Sequence, residues 1–359
     1  MEKTRKRYIE FDVLRACAIL LLPLIHVYEE LNDCGYLTSA ASQSQRWILV
    51  LCVYAPSVFM LCFGANLFFA KEKSPKTYTK RGLHFLLLGV LLNIVRFVIP
   101  ALVVQIFGKA DVLAEALQEI LCCDIYDFVG LYLLFYAFMK RLKMSNSVML
   151  LITLVMMWAN TKWGGTSTNI ELLDCFLGRF IYINDRSCFP LLSWAIFPTL
   201  GIFIGQIYQN IQEETRGKIL LKVAIGSIIL DEVIYATLVS YGLDYYMVAV
   251  SPANAYITDI INVFILILIF GKLLPIAYWI VTRFEKSLPV RWLCSLSSVI
   301  MSFYVIQWVI IGWLEYMLAF ALPEHSVSEG LFYAIFAGVM ILTLVLTKLF
   351  GKKLQKILQ

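Results

Sequence analysis

Long apolar runs, broken at intervals by short polar clusters, dominate the chain. Ten of them, at about 10–31, 47–70, 83–107, 125–141, 145–161, 190–209, 218–240, 253–271, 292–317 and 329–350, approach or exceed the length of a membrane crossing. A helix needs on the order of 20 apolar residues to span a hydrocarbon core. Backbone groups cannot go unpaired in lipid, so such runs predict helices. Residues 100–123 predict the end of one helix followed by a short amphipathic one outside it. Residues 272–291 predict an interfacial helix with Tyr278 and Trp279 at headgroup depth. The expected fold class is all-α: a polytopic transmembrane helical bundle of about ten helices, one domain over 1–359.

Composition strengthens this. Of 359 residues 60% are hydrophobic and only 15% are charged, against roughly a quarter charged in a soluble domain. Charge then gives direction. Alternate threading puts MEKTRKR, KEKSPKTYTKR, KRLK, the 210–222 loop, 272–291 and the GKKLQK tail on one side. The other side keeps Arg46, Lys109, Lys162, Arg179 and Arg186 and gathers acids, among them Glu29, Asp111, Asp124, Asp127 and Asp174. The basic side is expected to be cytoplasmic, with both termini there. The formal net charge of +5 therefore averages two opposite faces and gives no nucleic-acid pattern. The N-terminal run contains Arg15 and His26 and is followed by further spans, so it reads as a retained helix, not a cleaved signal. Nine cysteines show no metal spacing, and a Cys175–Cys188 bridge across the outer loop is left open.

Charged groups inside spans cost at least a few kcal/mol each and usually face the bundle interior. The first span carries two such groups, Arg15 and His26. Eleven residues separate them, roughly 16 Å and about three helical turns, so they share a face. Pro23 lies between and removes a backbone bond one turn before His26. Snorkelling of Arg15 and simple packing of His26 remain the alternative to a functional pair. Glu30, at i+4 from His26, is placed to orient the imidazole. Of the three histidines, His84 begins the third span beside Lys80 and Arg81, and His325 lies in an outer loop. Lys80, Arg81, His84 and the deeper Arg96 form a cationic ladder suited to phosphate. Asp231, Glu232 and Asp259 are further intramembrane acids, open either to pairing with Arg96 or to a proton relay. With His26 and Arg96, such a relay would make a secondary transporter, the competing reading.

At this point the residues resemble a known family. Phe11-Asp12 followed by Arg15-x10-His26 is similar to the signature of membrane-bound acyltransferase family 3, within a wider superfamily that includes the heparan-α-glucosaminide N-acetyltransferase type. FMLCFGANLFFAKE (59–72), YTKRGLHFLLLGVLLNIVR (78–96), CFPLLSWAIFPTLGIFIGQIY (188–208) and SLSSVIMSFYVIQWVI (295–310) resemble its other helices. The resemblance implies an acyltransferase that moves an acyl group, usually acetyl from cytoplasmic acetyl-CoA, to a hydroxyl or amine of an extracytoplasmic sugar or glycoconjugate. It implies His26 as catalytic base and Arg15, Lys80 and Arg81 as contacts for acyl-CoA, to which the spacing and charge reading adds Glu30 beside His26, and His84 and Arg96 as further cationic contacts for the donor. No permanently bound cofactor and no metal is expected, acyl-CoA being a co-substrate. The expected partners are membrane lipids and a saccharide acceptor, no nucleic acid, with a homodimer left open, in a bacterial plasma membrane. Two positions depart from the pattern: Gln307 stands where the late motif usually has His, and Ala-Asn follows Gly64 in place of an aromatic.

Overall fold

Mostly apolar helices, which pair their interior backbone groups within themselves, account for most of the described residues. The computed structural model describes residues 7–33, 54–107, 112–183, 187–242, 258–321 and 327–358, with 37, 45, 48 and 52 singly. The first half contains α1 (Ile9–Asp33), α2 (Ala55–Phe69), α3 (Pro75–Asn93), a π-helical turn (Ile94–Val98), α4 (Ile99–Ile106) and α5 (Val112–Gln118). It continues with α6 (Ile125–Arg141), α7 (Asn146–Trp163), α8 (Glu171–Leu177), α9 (Leu191–Trp194) and α10 (Ile196–Asn210). Then come α11 (Glu213–Ser240), α12 (Thr258–Phe284), α13 (Leu288–Ser298), α14 (Ile300–Ala321) and α15 (Glu329–Leu358). Among the described residues there is no strand, only the isolated bridges Leu37–Val327 and Cys123–Ser187. The all-α polytopic expectation holds.

Six described stretches are long and apolar enough to cross a membrane by themselves: Ile9–Asn32, Pro75–Ile106, Leu191–Asn210, Val263–Phe284, Ile300–Leu318 and Glu329–Leu358. Each of the other predicted spans coincides with a described helix that is shorter or more polar. Two boundaries differ from expectation. The interfacial helix expected at 272–291 does not form as a unit: α12 runs straight through to Phe284 with Pro275 inside it, because the apolar pattern continues past Lys272. Ser287 then caps α13, accepting from Val290 N at 3.5 Å. The single span expected at 292–317 breaks at Val299 into α13 and α14. No bridge joins Cys175 to Cys188; the Cys188 thiol lies in hydrogen-bonding reach of Cys122 instead.

Burial separates the helices by role. The apolar window of α1 is 78% buried and that of α15 only 22%, which makes α1 the central rod and α15 a lipid-facing one. Around α1 pack α2, α12, α13, α14 and α15. Pro23 is accommodated without ending the helix. Beside it, α2 and α10 are in backbone contact. A Cβ on Gly64 would run into the Pro198 carbonyl, and one on Gly201 into the Leu61 carbonyl. Small residues allow such close approach where lipid supplies no hydrophobic drive.

This contact predicts a sharp position dependence. Gly201→Val should destabilise the protein by at least the about 1–3 kcal/mol typical of overpacking, read as a lower unfolding temperature or lost monodisperse protein in detergent. Gly338→Val, where a Cβ meets nothing within 4 Å, should leave both unchanged.

Candidate functional site

Two polar layers lie along α1. The first surrounds Arg15. Its Nε and Nη2 donate to Ser297 Oγ at 3.1 and 2.6 Å, and Nη2 also donates to the Ser297 carbonyl at 3.0 Å. Asp12 Oδ1 lies 3.2 Å from Nη2 and accepts from Ser297 Oγ at 3.0 Å. Arg7 Nε holds the other carboxylate oxygen at 2.6 Å. The break at Val299 is what allows α13 to carry Ser297 against α1 instead of following the axis of α14. Arg15 is thus one-fifth exposed and internally paired, with Nη1 making none of these bonds.

The second layer surrounds His26 and is buried. Residues Tyr304, Trp308 and Gly312 follow one another at i+4 on α14 and form one stripe. The imidazole stacks on Trp308, ring centroids 4.2 Å apart at 27°. Its Nδ1 contacts the Gln307 side-chain amide. Arg96 lies with its guanidinium carbon 4.4 Å from the centroid of the Trp308 ring. Nη1 of Arg96 meets Asp124 Oδ2 at 3.0 Å, both side chains only 4% exposed. The other Asp124 oxygen accepts from Tyr304 Oη and from Ile125 N, each at 2.5 Å. Histidine, tryptophan, arginine, aspartate and tyrosine therefore form one continuous cluster.

Local structure explains how Arg96 reaches it. The π turn at Ile94–Val98 inserts a residue into the helical register, as such turns do at functional sites. Trp313 Nε1 donates to the carbonyl of Val95 at 3.2 Å, satisfying a backbone group of the turn. Gly312 gives α14 room, since a Cβ there would strike the Arg96 backbone. Asn93, fully buried, donates to the carbonyls of Ile120 and Cys122 at 3.1 and 3.0 Å. That pins the turn leading to Asp124, the N-cap of α6, which forms a capping box with Asp127.

The remaining sequence candidates fall elsewhere. Lys80 is exposed on the first turns of α3, and Arg81 and His84 are half-buried. Sixteen residues separate Lys80 from Arg96, about 24 Å of helix, so the ladder has two distinct ends. Glu30 lines a small cavity with Val27, Leu31, Ile311, Leu314 and Glu315. Asp231 does not meet Arg96 but Lys272, at 2.5 Å, tying α11 to α12. Glu232 is exposed, and the side chain of Asp259, like His325, lies outside the described residues. Ser302 is held by the Gly351 carbonyl at 2.8 Å. In the segment after α7, Ser167 and Thr168 hydrogen-bond to Asp174 and hold its carboxyl below the usual carboxylate range. The loop contact this represents is therefore complete above that range and lost as pH falls through the lowered value.

Asp124 and Trp308 are the cluster members that sequence reasoning missed. Asp124 reads as one more acid of an outer loop, because nothing in the sequence says that its N-cap position faces Arg96. Fold and cluster together describe an integral-membrane helical protein with a buried titratable centre, the class in which membrane acyltransferases fall. Residues 7–229 match the family model for heparan-alpha-glucosaminide N-acetyltransferase, catalytic, and the chain belongs to that family. It is accordingly an acetyltransferase acting on sugars. No curated protein and no solved structure matches it.

The ion pair makes a testable demand. Removing one partner of a buried pair strands the other charge at a cost of about 3–5 kcal/mol. Asp124→Ala should lower detergent-state stability by that order, and Asp124→Ala with Arg96→Met should recover most of it, in a thermal or denaturant double-mutant cycle.

Proposed function

We propose that this protein transfers acetyl from acetyl-CoA, entering from the cytoplasm, to a hydroxyl or amine of an extracytoplasmic sugar, with His26 as general base. The observation that carries this reading is the second polar layer: a buried imidazole fixed by a stacked indole and an amide, beside a buried guanidinium. CoA is anionic, so its phosphates belong at the basic end with Lys80, Arg81 and His84. Arg15 Nη1 supplies a further donor on the way in. The pantetheine arm then brings the thioester some 16 Å along α1. His26 takes the proton as the acceptor oxygen or nitrogen attacks the thioester carbonyl. The carbonyl oxygen gains negative charge, and Arg96 is the nearby cation that stabilises it. Collapse expels the CoA thiolate, which recovers the proton from the imidazolium. Glu30, one turn beyond His26, borders the mouth through which the acceptor arrives. The transporter reading is weaker, since Asp231 pairs with Lys272 rather than joining the His26 cluster.

Two measurements test this. His26→Ala should lower acetyl transfer at least 10²-fold, within the about 10²–10⁴-fold range for a general base, while the protein inserts and elutes normally in detergent. Acetyl-CoA titration should show Arg81→Ala and Arg15→Ala binding about 10-fold more weakly, the scale of one charge-assisted hydrogen bond. Undiminished turnover by His26→Ala overturns the assignment.

A further inference from the structure

His26 has two ring nitrogens, and only one tautomer lets the ring act as a base at Nε2. In a neutral imidazole one nitrogen carries the proton and the other the lone pair, and the partner of the first decides which. Here Nδ1 is in contact with Gln307. The ring is held in place, because one face is stacked on the half-buried Trp308 at 4.2 Å and His26 itself is buried. Gln307 is fully buried, and its Oε1 has no hydrogen-bond partner when Nε2 is turned toward the imidazole. Amide oxygen and nitrogen exchange places on a half-turn of the terminal group. With nitrogen inward, the amide donates to Nδ1 and the proton sits on Nε2, so no lone pair faces the substrate. With oxygen inward, Nδ1–H donates to Oε1, the amide NH2 takes the outer place, and Nε2 of the imidazole is free to take a proton.

We propose that Gln307 is a positioning residue that presents its side-chain oxygen to His26 Nδ1–H and thereby holds the imidazole in its base-competent tautomer. The inference rests on His26 being the base. It gives a role to a residue that departs from the family pattern and that lies beyond the matched 7–229 segment. Glutamine suits the place for a physical reason. It orients a histidine without adding a second carboxylate beside the Asp124–Arg96 pair, whose charges already balance.

The chain has three histidines, so 15N-histidine NMR of the detergent-solubilised protein, with His26→Gln identifying its resonances, reads the tautomer directly. The expected result is a protonated Nδ1 and an unprotonated Nε2. Gln307→Met, close in shape but without an acceptor, should move the ring toward the other tautomer and lower kcat about 10–100-fold, the usual cost of losing such a partner, with KM little changed. Gln307→Glu restores an acceptor and should recover the tautomer, with kcat above that of Gln307→Met though below wild type because of the added carboxylate. A wild-type ring protonated at Nε2 overturns the inference. So does a Gln307→Met protein with unchanged tautomer and kcat. Loss of activity in His26→Gln alongside an indifferent Gln307→Met would leave the base assignment standing and remove only this role, whereas an active His26→Gln would remove both.

Discussion

A guanidinium in the apolar interior of a helical bundle needs a counter-charge, and the Arg96–Asp124 pair is the contact on which the rest depends. Both side chains are almost fully buried, 3.0 Å apart, so each carries a desolvation cost of several kcal/mol that its partner must offset. One bond does not do it. Asp124 also accepts from Tyr304 Oη and a backbone amide, and Arg96 lies over the faces of Trp308 and Phe97. Cation–π contact is worth more where water is absent. The pair therefore fixes three elements at once: the π turn of α3, the N-terminus of α6 and the inner stripe of α14.

That fixing is what gives α1 two environments. At one end Arg15 shares Asp12 with Arg7 and is clamped to Ser297, a charged layer that remains partly open. At the other end His26 meets an amide and aromatic rings, with Arg96 against the same indole. A helix buried along most of its length can hold this contrast because five other helices pack against it.

Much of this was legible in the sequence. Arg15 and His26 stand out because a charge and an imidazole interrupt an apolar run, and their eleven-residue spacing fixes a shared face without any tertiary knowledge. Arg96 stands out for the same reason. Its partner does not, since Asp124 sits among acids at a span boundary, where local pattern suggests solvation. The π turn is also silent: IVRFV looks like any apolar helix, and only the packing of Gly312 against it reveals the altered register. Hydropathy likewise joined 292–317, because the break at Val299 replaces one apolar helix by two. The failures share a cause, namely that pairing between distant segments decides them.

The extent of the family match sharpens what each part of the chain contributes. Residues 7–229 contain Arg15, His26, Glu30, Lys80, Arg81, His84 and Arg96, the charged and titratable groups of the proposed chemistry, together with Asp124, the counter-ion of Arg96. The surfaces that hold His26 and clamp Arg15 come from later residues, Ser297, Tyr304, Gln307, Trp308 and Gly312. Without α13 and α14 the imidazole would lose its stacking partner and its amide, and Arg96 would lose the indole and the tyrosine that helps hold its counter-ion. The matched segment thus carries the groups to which the proposal gives the chemistry, and later helices supply much of the wall around them. A base works only when its lone pair points at the proton it takes, so the proposed mechanism draws on the helices after residue 229 as fully as on those before it.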